Sequence, residues 1–196
     1  MPKLGMEPIR RDALVKATIA EIGHCGTLDV TVSKIARRAG MSSALAHHYF
    51  GGKDQIFLAA MRHIVLSCGT YLRPLLRAAQ SPYERVDAIV RASFDAENFQ
   101  PDVISAWLNF YALAQNKPEA RALLRIYHGR LHSNLVYALR PLVGEKCHDT
   151  ADMIAALIDG LYLRQSLGAH MPSSDAAVDM IMGQFDVLIQ SSLDVK

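Results

Sequence analysis

Several side chains in this 196-residue sequence have types and spacings that bear on chemistry. Trp107, Phe110 and Tyr111 fall at i, i+3 and i+4, so a helix would carry all three rings on one face. That stripe suits a packed core. It equally suits one wall of a site for an organic cation, which aromatic faces attract at roughly 0.5–2 kcal/mol per contact. His128 and His132 form H-x-x-x-H, the spacing of two metal ligands on a helix. No third ligand is placed by sequence, and Cys147-His148 falls in an expected loop, so no metal is assigned. Nucleophilic catalysis needs a serine or cysteine with a positioned base and an oxyanion hole. The sequence has no G-x-S-x-G, no glycine-rich phosphate loop and no recognisable Cys/His constellation. The expectation is a binding protein without catalytic residues or cofactor.

The elements that must position these groups are helical almost throughout. A first amphipathic stretch runs from about Glu7 to Gly23, with Ile9, Ala13, Leu14, Ala17 and Ile22 near one face. A short helix follows Thr31, then a turn at Ala39-Gly40, then a helix from Ser43 to Phe50. Gly51-Gly52 breaks it, and a long helix is predicted from Lys53 to about Leu72, stopping near Pro74. Ser81-Pro82-Tyr83-Glu84 is a capping box with proline at its first helical position. Asn116-Lys117-Pro118-Glu119 resembles it, and Gln100-Pro101-Asp102 and Ser173-Ser174-Asp175 are further starts. About nine helices and no sheet are expected: an all-α chain.

Thr31 to Phe50 is the most informative segment. Two short helices joined by about four residues with a glycine fit a helix-turn-helix, although a helical hairpin buried for stability has the same spacing. Thr31 and Ser42 are placed to cap the two helices, and Gly40 tolerates a positive φ. Ile35, Ala36, Leu45 or Ala46 and Tyr49-Phe50 would face inward, leaving Ser43, Ala44, His47 and His48 outward. Small residues lead that outer face, where backbone must approach a groove floor, and hydrogen-bonding ones follow. Lys53, at the next helix start, suits a phosphate, and Lys34, Arg37 and Arg38 add attraction.

The run T-V-x-x-I-A-x-x-A-G-M-S…H-Y-F-G-G-K-D resembles the DNA-binding domain of the TetR family of bacterial repressors. The opening P-K-L-G-M-E-P-I-R-R, then S-A-W-L-N-F-Y-A and A-A-L-I-D-G-L-Y-L-R, are similar to its choline-responsive branch, repressors of glycine betaine synthesis. The resemblance spans Pro2 to Arg164. It implies an all-α homodimer with a helix-turn-helix DNA-binding domain at residues 1–54 and a helical ligand-binding and dimerisation domain at 55–196. It implies double-stranded operator DNA as partner and choline as effector, in the cytoplasm; another cationic or amphipathic effector is the alternative. By matched position, Thr31, Ser33, Ser43, Ala44, His47, His48, Tyr49 and Lys53 are the implied DNA contacts. Trp107, Phe110 and Tyr111, with Phe94, Tyr162 or Tyr127 as further walls and Asp159 as counter-charge, are the implied ligand residues. His47 stands where serine is more usual, which bears on the operator read. Tyr111 stands where tryptophan is commoner, which bears on the ligand wall.

Two late segments, Asp149 to Leu167 and Asp175 to Leu193, carry apolar faces. They suit either their own protomer's core or an isologous four-helix interface. The formal charge is +2, from 21 Lys+Arg and 19 Asp+Glu. Residues 1–54 hold eight basic and five acidic residues, a net of +3, so the excess is concentrated in the first quarter. Such a balance excludes bulk polyanion binding and leaves room for contacts at one end. Cys25, Cys68 and Cys147 lie far apart and are expected as free thiols, and no apolar leader or span is expected.

Overall fold

The structure, a computed structural model, describes residues 6–168 and 173–193. The opening Pro2-Lys3-Leu4-Gly5 of the resemblance lies outside the described residues. Among the described residues there are nine α-helices, one 3₁₀ turn and no strand. The helices are α1 Met6–Cys25, α2 Val32–Arg38, α3 Ser43–Phe50, α4 Lys53–Ala78 and α5 Pro82–Ser93. They continue as α6 Pro101–Asn116, α7 Pro118–Val143, α8 Cys147–Ser166 and α9 Ser174–Leu193, with the 3₁₀ turn at Gly144–Lys146 before α8.

Local chemistry explains most of these boundaries. Thr31, Ser42 and Ser81 each accept a hydrogen bond from the backbone N–H three residues on, starting α2, α3 and α5. Each cap is worth about 1 kcal/mol. Glu84 completes the α5 start by accepting the Gln80 N–H at 2.6 Å. Ser173 Oγ likewise accepts from Ala176 N ahead of α9. Asn116, expected as a cap, instead closes α6, and Lys117 is the residue that joins it to α7. The largest departure is α4, which runs through Pro74 to Ala78 rather than ending near Leu72. Pro74 lacks an N–H and crowds the carbonyl one turn back, but Leu75 to Ala78 are strong helix formers that carry the spiral on past it.

The helices gather into two compact units. The first comprises residues up to Val65 together with Pro101–Leu123, so α6 belongs with α1, α2 and α3. Its core includes Leu14, Ile22, Ile35, Met61, Ile104 and Phe110, all buried. Along α1 the inward face is Leu14, Val15, Thr18, Ile19 and Ile22, while Ile9, expected inside, is exposed. Ile9 lies in the first turn of α1, ahead of the buried run that begins at Leu14. The Thr18 hydroxyl donates to the Leu14 carbonyl at 2.7 Å, which satisfies the one polar group on that buried face.

α6 packs against α1 at very short range. A Cβ on Gly23 would land on the backbone and side chain of Asp102, the second residue of α6. Further along, Asn109 Nδ2 donates to the Gly26 carbonyl at 3.4 Å. Glycine at 23 is therefore required by proximity, not by backbone torsion.

The second unit comprises residues 66–100 and the chain from Leu124 onward. α5 and α8 pack on α9, burying Val86, Ile89, Ile154, Ile158, Ile181 and Phe185. Tyr83 stacks on Phe185 and donates its hydroxyl to Asp186 at 2.8 Å, fastening α5 to α9. Burial, reinforced by that carboxylate, pushes the Tyr83 phenol up to about 12. The outer faces of α8 and α9 leave Leu163, Met180 and Val187 exposed, and Leu167 beyond α8 is 73% exposed. Each late helix thus has an apolar inner face in its own core and further apolar residues outside it.

Gly23→Ala should destabilise the protein by about 1–3 kcal/mol, the usual cost of overpacking. Gly69→Ala, within α4 and with open space where its Cβ would go, should instead stabilise by up to ~1 kcal/mol. Urea unfolding of both variants checks the contrast.

Candidate DNA-reading and ligand sites

α2 and α3 are joined by a turn with a specific backbone closure. Gly40 has φ of 68°, its N–H bonds the Arg37 carbonyl at 3.1 Å, and Met41 N bonds the Ala36 carbonyl at 2.8 Å. This is a Schellman closure, which needs glycine at its left-handed position. Ile35 and Ala36 from α2 and Ala46 from α3 are buried beneath it. Leu45, Tyr49 and Phe50 are only half-buried, so the inner face of α3 narrows to Ala46. The Ser43 hydroxyl donates to Ser33 Oγ at 3.0 Å and ties the two helices on their outer side.

The expected DNA-reading residues take outward positions. Thr31, Ser33, Ala44, His47 and His48 are exposed, and Ser43, Tyr49 and Lys53 are half-buried. Thr31 Oγ1 is already engaged as an acceptor in its cap, and its hydroxyl proton is left to face outward. His47 Nδ1 stands 3.3 Å from the Gly51 carbonyl, which orients the ring. The His48 and Tyr49 rings sit 5.4 Å apart.

Arg11, which sequence spacing did not single out, reaches from α1 over the Phe50 ring at 4.8 Å and the Tyr49 ring at 6.0 Å. It positions the end of α3. Lys53 Nζ lies 5.5 Å from the Phe57 ring centre. Arg38 is less available than its sequence suggests, because its Nε is tied to Glu21 at 2.6 Å. Lys117 holds Asp54 at 2.6 Å, and that carboxylate raises the lysine's pKa.

The aromatic residues separate into two groups. In the first unit, Trp107 and Phe110 are buried and Tyr111 is half-buried, with the Trp107 and Tyr111 rings 6.0 Å apart. In the second unit, Phe94 and Tyr162 come together at 5.7 Å, and Phe99 completes the cluster at 5.2 and 5.4 Å from them. The Tyr162 hydroxyl donates to the Ser93 carbonyl, which fixes its ring. Phe99 was missed because it lies in an irregular segment between α5 and α6, where periodicity gives no face.

Its neighbour Asn98 is 3% exposed and accepts from the Ser67 hydroxyl at 3.1 Å. The Asn98 Nδ2 and Gln165 Oε1 atoms are buried with no hydrogen-bond partner among the described residues. Asp159 stands 3.9 Å from His128 Nε2, His132 Nε2 stands 3.5 Å from Asp152, and the Tyr127 ring lies beside His128 at 5.4 Å. No group of three metal-ligating side chains occurs among the described residues. All three cysteines are free, and burial pushes the Cys68 thiol up to about 11, which leaves it a poor nucleophile at neutral pH.

A capped helix-turn-helix with a hydrogen-bonding outer face, followed by a further helical body, defines a DNA-binding regulator. The chain belongs to the TetR family of transcriptional regulators. Residues 14–60 match the family described as bacterial regulatory proteins, tetR family, and residues 82–190 match the BetI-type transcriptional repressor C-terminal family.

Relatives bear this out. The chain is 48% identical over 182 residues to the HTH-type transcriptional regulator BetI of Brucella suis, covering 92% of each chain. It is 46% identical over 197 residues to BetI of Rhizobium meliloti, covering 100% of this chain and 97% of that one. Its fold is similar to that of a transcriptional regulator from Pseudomonas aeruginosa PAO1, with a TM-score of 0.81 at 26% identity over 96% and 93% of the two chains. A Saccharomonospora viridis regulator solved in complex with choline has a TM-score of 0.77 at 23% identity, over 87% and 92%. These proteins are regulators rather than enzymes, as expected for this chain. Among the described residues no helix is long and apolar enough to cross a membrane.

Lys53→Gln should weaken operator binding on every sequence alike and lower the salt slope by about one. His47→Ala should instead change discrimination at one base position by about 1–3 kcal/mol. Fluorescence anisotropy on operator and shuffled duplexes, across a salt series, separates the two.

Proposed function

We propose that this protein is a cytoplasmic, homodimeric repressor of choline-to-glycine-betaine synthesis genes, released from its operator by choline. Residues 1–54 would read DNA, and residues 55–196 would sense the effector and dimerise. The operator would be near-palindromic, with two α3 helices entering major grooves roughly 34–36 Å apart. Ser43, Ala44 and His47 would meet base edges, and Thr31, Tyr49 and Lys53 would hold phosphates; Ser33 and His48 flank them. Leu163, Leu167, Met180 and Val187 would supply the apolar part of the dimer contact, being exposed on helices already fixed by their inner faces.

The observation that carries the effector assignment is the packed Phe94, Phe99 and Tyr162 cluster in the unit that also holds unpartnered Asn98 and Gln165 amide atoms. A quaternary ammonium has no strong hydrogen bond to give and is held by aromatic faces. Choline's hydroxyl would accept from a donor such as Asn98 Nδ2 or donate to an acceptor such as Gln165 Oε1. The names of the relatives, and the choline bound to the Saccharomonospora protein, support the same ligand. Trp107, Phe110 and Tyr111 line the helix that touches α1, so ligand contact there would bear directly on the reading head. Asp159 would add negative potential.

Release would be a population shift. Choline can weaken DNA binding only by its differential affinity for the state whose heads do not fit the grooves. α4 begins beside α3, and α6 packs on α1, so both helices would transmit the change.

Choline should lower operator affinity of the wild-type protein, as followed by anisotropy, with direct binding seen by calorimetry. Phe99→Leu and Tyr111→Leu should each retain operator binding while shifting the choline response to at least tenfold higher concentration. Unaltered responses in both variants would defeat the aromatic assignment.

A further inference from the structure

The second unit contains a cleft of about 650 Å³ away from its aromatic cluster, between the start of α5, the outer half of α7 and the first turn of α8. None of its lining residues is acidic, whereas Arg85, Arg140, His132 and His148 all contribute to it. Arg85 is the central group. Its Nε is buried with no hydrogen-bond partner among the described residues, and its guanidinium lies 5.2 Å from the centre of the Tyr137 ring. The ring holds the guanidinium in place, and a guanidinium N–H without an acceptor is costly, so a basic lining with no acidic residue favours an oxyanion. The Ser81 hydroxyl accepts from Glu84 N and still has a proton to donate. The His132 and His148 rings lie 5.5 Å apart, tilted by 34°, along one side. Pro82, Val136, Ala138 and Pro141 provide apolar wall. Two carboxylates adjoin the lining without entering it: Glu84 accepts the Gln80 N–H, and Asp152, with its side chain 74% exposed, stands 3.5 Å from His132 Nε2.

We propose that this cleft is a second ligand site, for a small organic oxyanion with a short apolar body: a carboxylate or a phosphate monoester. Arg85 pairs with the oxyanion through its fork, Arg140 at the rim adds charge, and the Ser81 hydroxyl donates one further bond. The proline and valine wall covers the body of the ligand. This chemistry is opposite in sign to that of the aromatic cluster, so the two sites take different compounds and do not compete.

Isothermal calorimetry on the full chain with phenyl phosphate, phenylacetate and neutral benzyl alcohol tests this. Saturable binding of at least one anion at one site per chain, unaffected by saturating choline, is expected, with benzyl alcohol at least tenfold weaker. Whichever anion binds more tightly assigns the head group. Arg85→Gln should weaken that binding tenfold or more and Arg140→Gln severalfold, with operator binding retained. Because Arg85→Gln also removes the contact with Tyr137, thermal unfolding accompanies it. If it fails to fold, exposed Arg140→Gln and Ser81→Thr, which keeps the cap but crowds the cleft, decide the matter. Absence of binding by both anions, displacement of the anion by choline, or wild-type affinity in the folded variants would overturn the proposal.

Discussion

Most of the first unit depends on one close approach, where the α1 backbone at Gly23 meets Asp102 at the start of α6. Two helices usually stand 8–10 Å apart because side chains separate them. Removing one side chain lets α6 settle directly on the helix that supports α2 and α3. The face of α1 that bears Leu14, Ile19 and Ile22 then forms a common core with Ile104 and Phe110. The Trp107-bearing helix is consequently part of the reading head's own packing, not a remote attachment.

The head's charge takes on a different meaning in three dimensions. Its +3 counts every basic residue, but Arg38 is held by Glu21, Arg11 lies over Phe50 and Tyr49, and Lys53 rests against Phe57. Several cations in this region therefore shape the α3 surface as much as they advertise a field. Contacts of this kind contribute only about 1 kcal/mol each to stability. Their worth here is in orientation, since they decide which guanidinium and ammonium groups remain turned outward.

The helix-turn-helix was legible in the sequence because several levels agreed: apolar spacing, hydroxyl caps at Thr31 and Ser42, and a glycine where the chain turns left-handed. The capped starts of α5 and α9 were legible for the same reason. Elsewhere local rules pointed the wrong way or were silent. Pro74 signalled a stop that strong helix formers beyond it outvoted, and Asn116 looked like a cap but closed the preceding helix. Ile9 fitted the periodicity of α1 yet lies beyond its covered turns. The docking of α6 on α1, the meeting of Phe94, Phe99 and Tyr162, and the setting of Arg85 against Tyr137 are all long-range. No spacing within one helix encodes them, so the candidate aromatic residues could be nominated by type but not grouped by place.

The apolar residues on the outside of α8 and α9 have a consequence for how much of the protein exists in folded form. Their inner faces complete the core, so covering the outer faces stabilises the same two helices that hold the second unit together. Where a second protomer provides the cover, folding and assembly become linked by mass action, and stability rises with protein concentration. A cell making little of the chain would hold it in a less protected state, more open to proteolysis. Abundance would then set both the number of molecules and the lifetime of each.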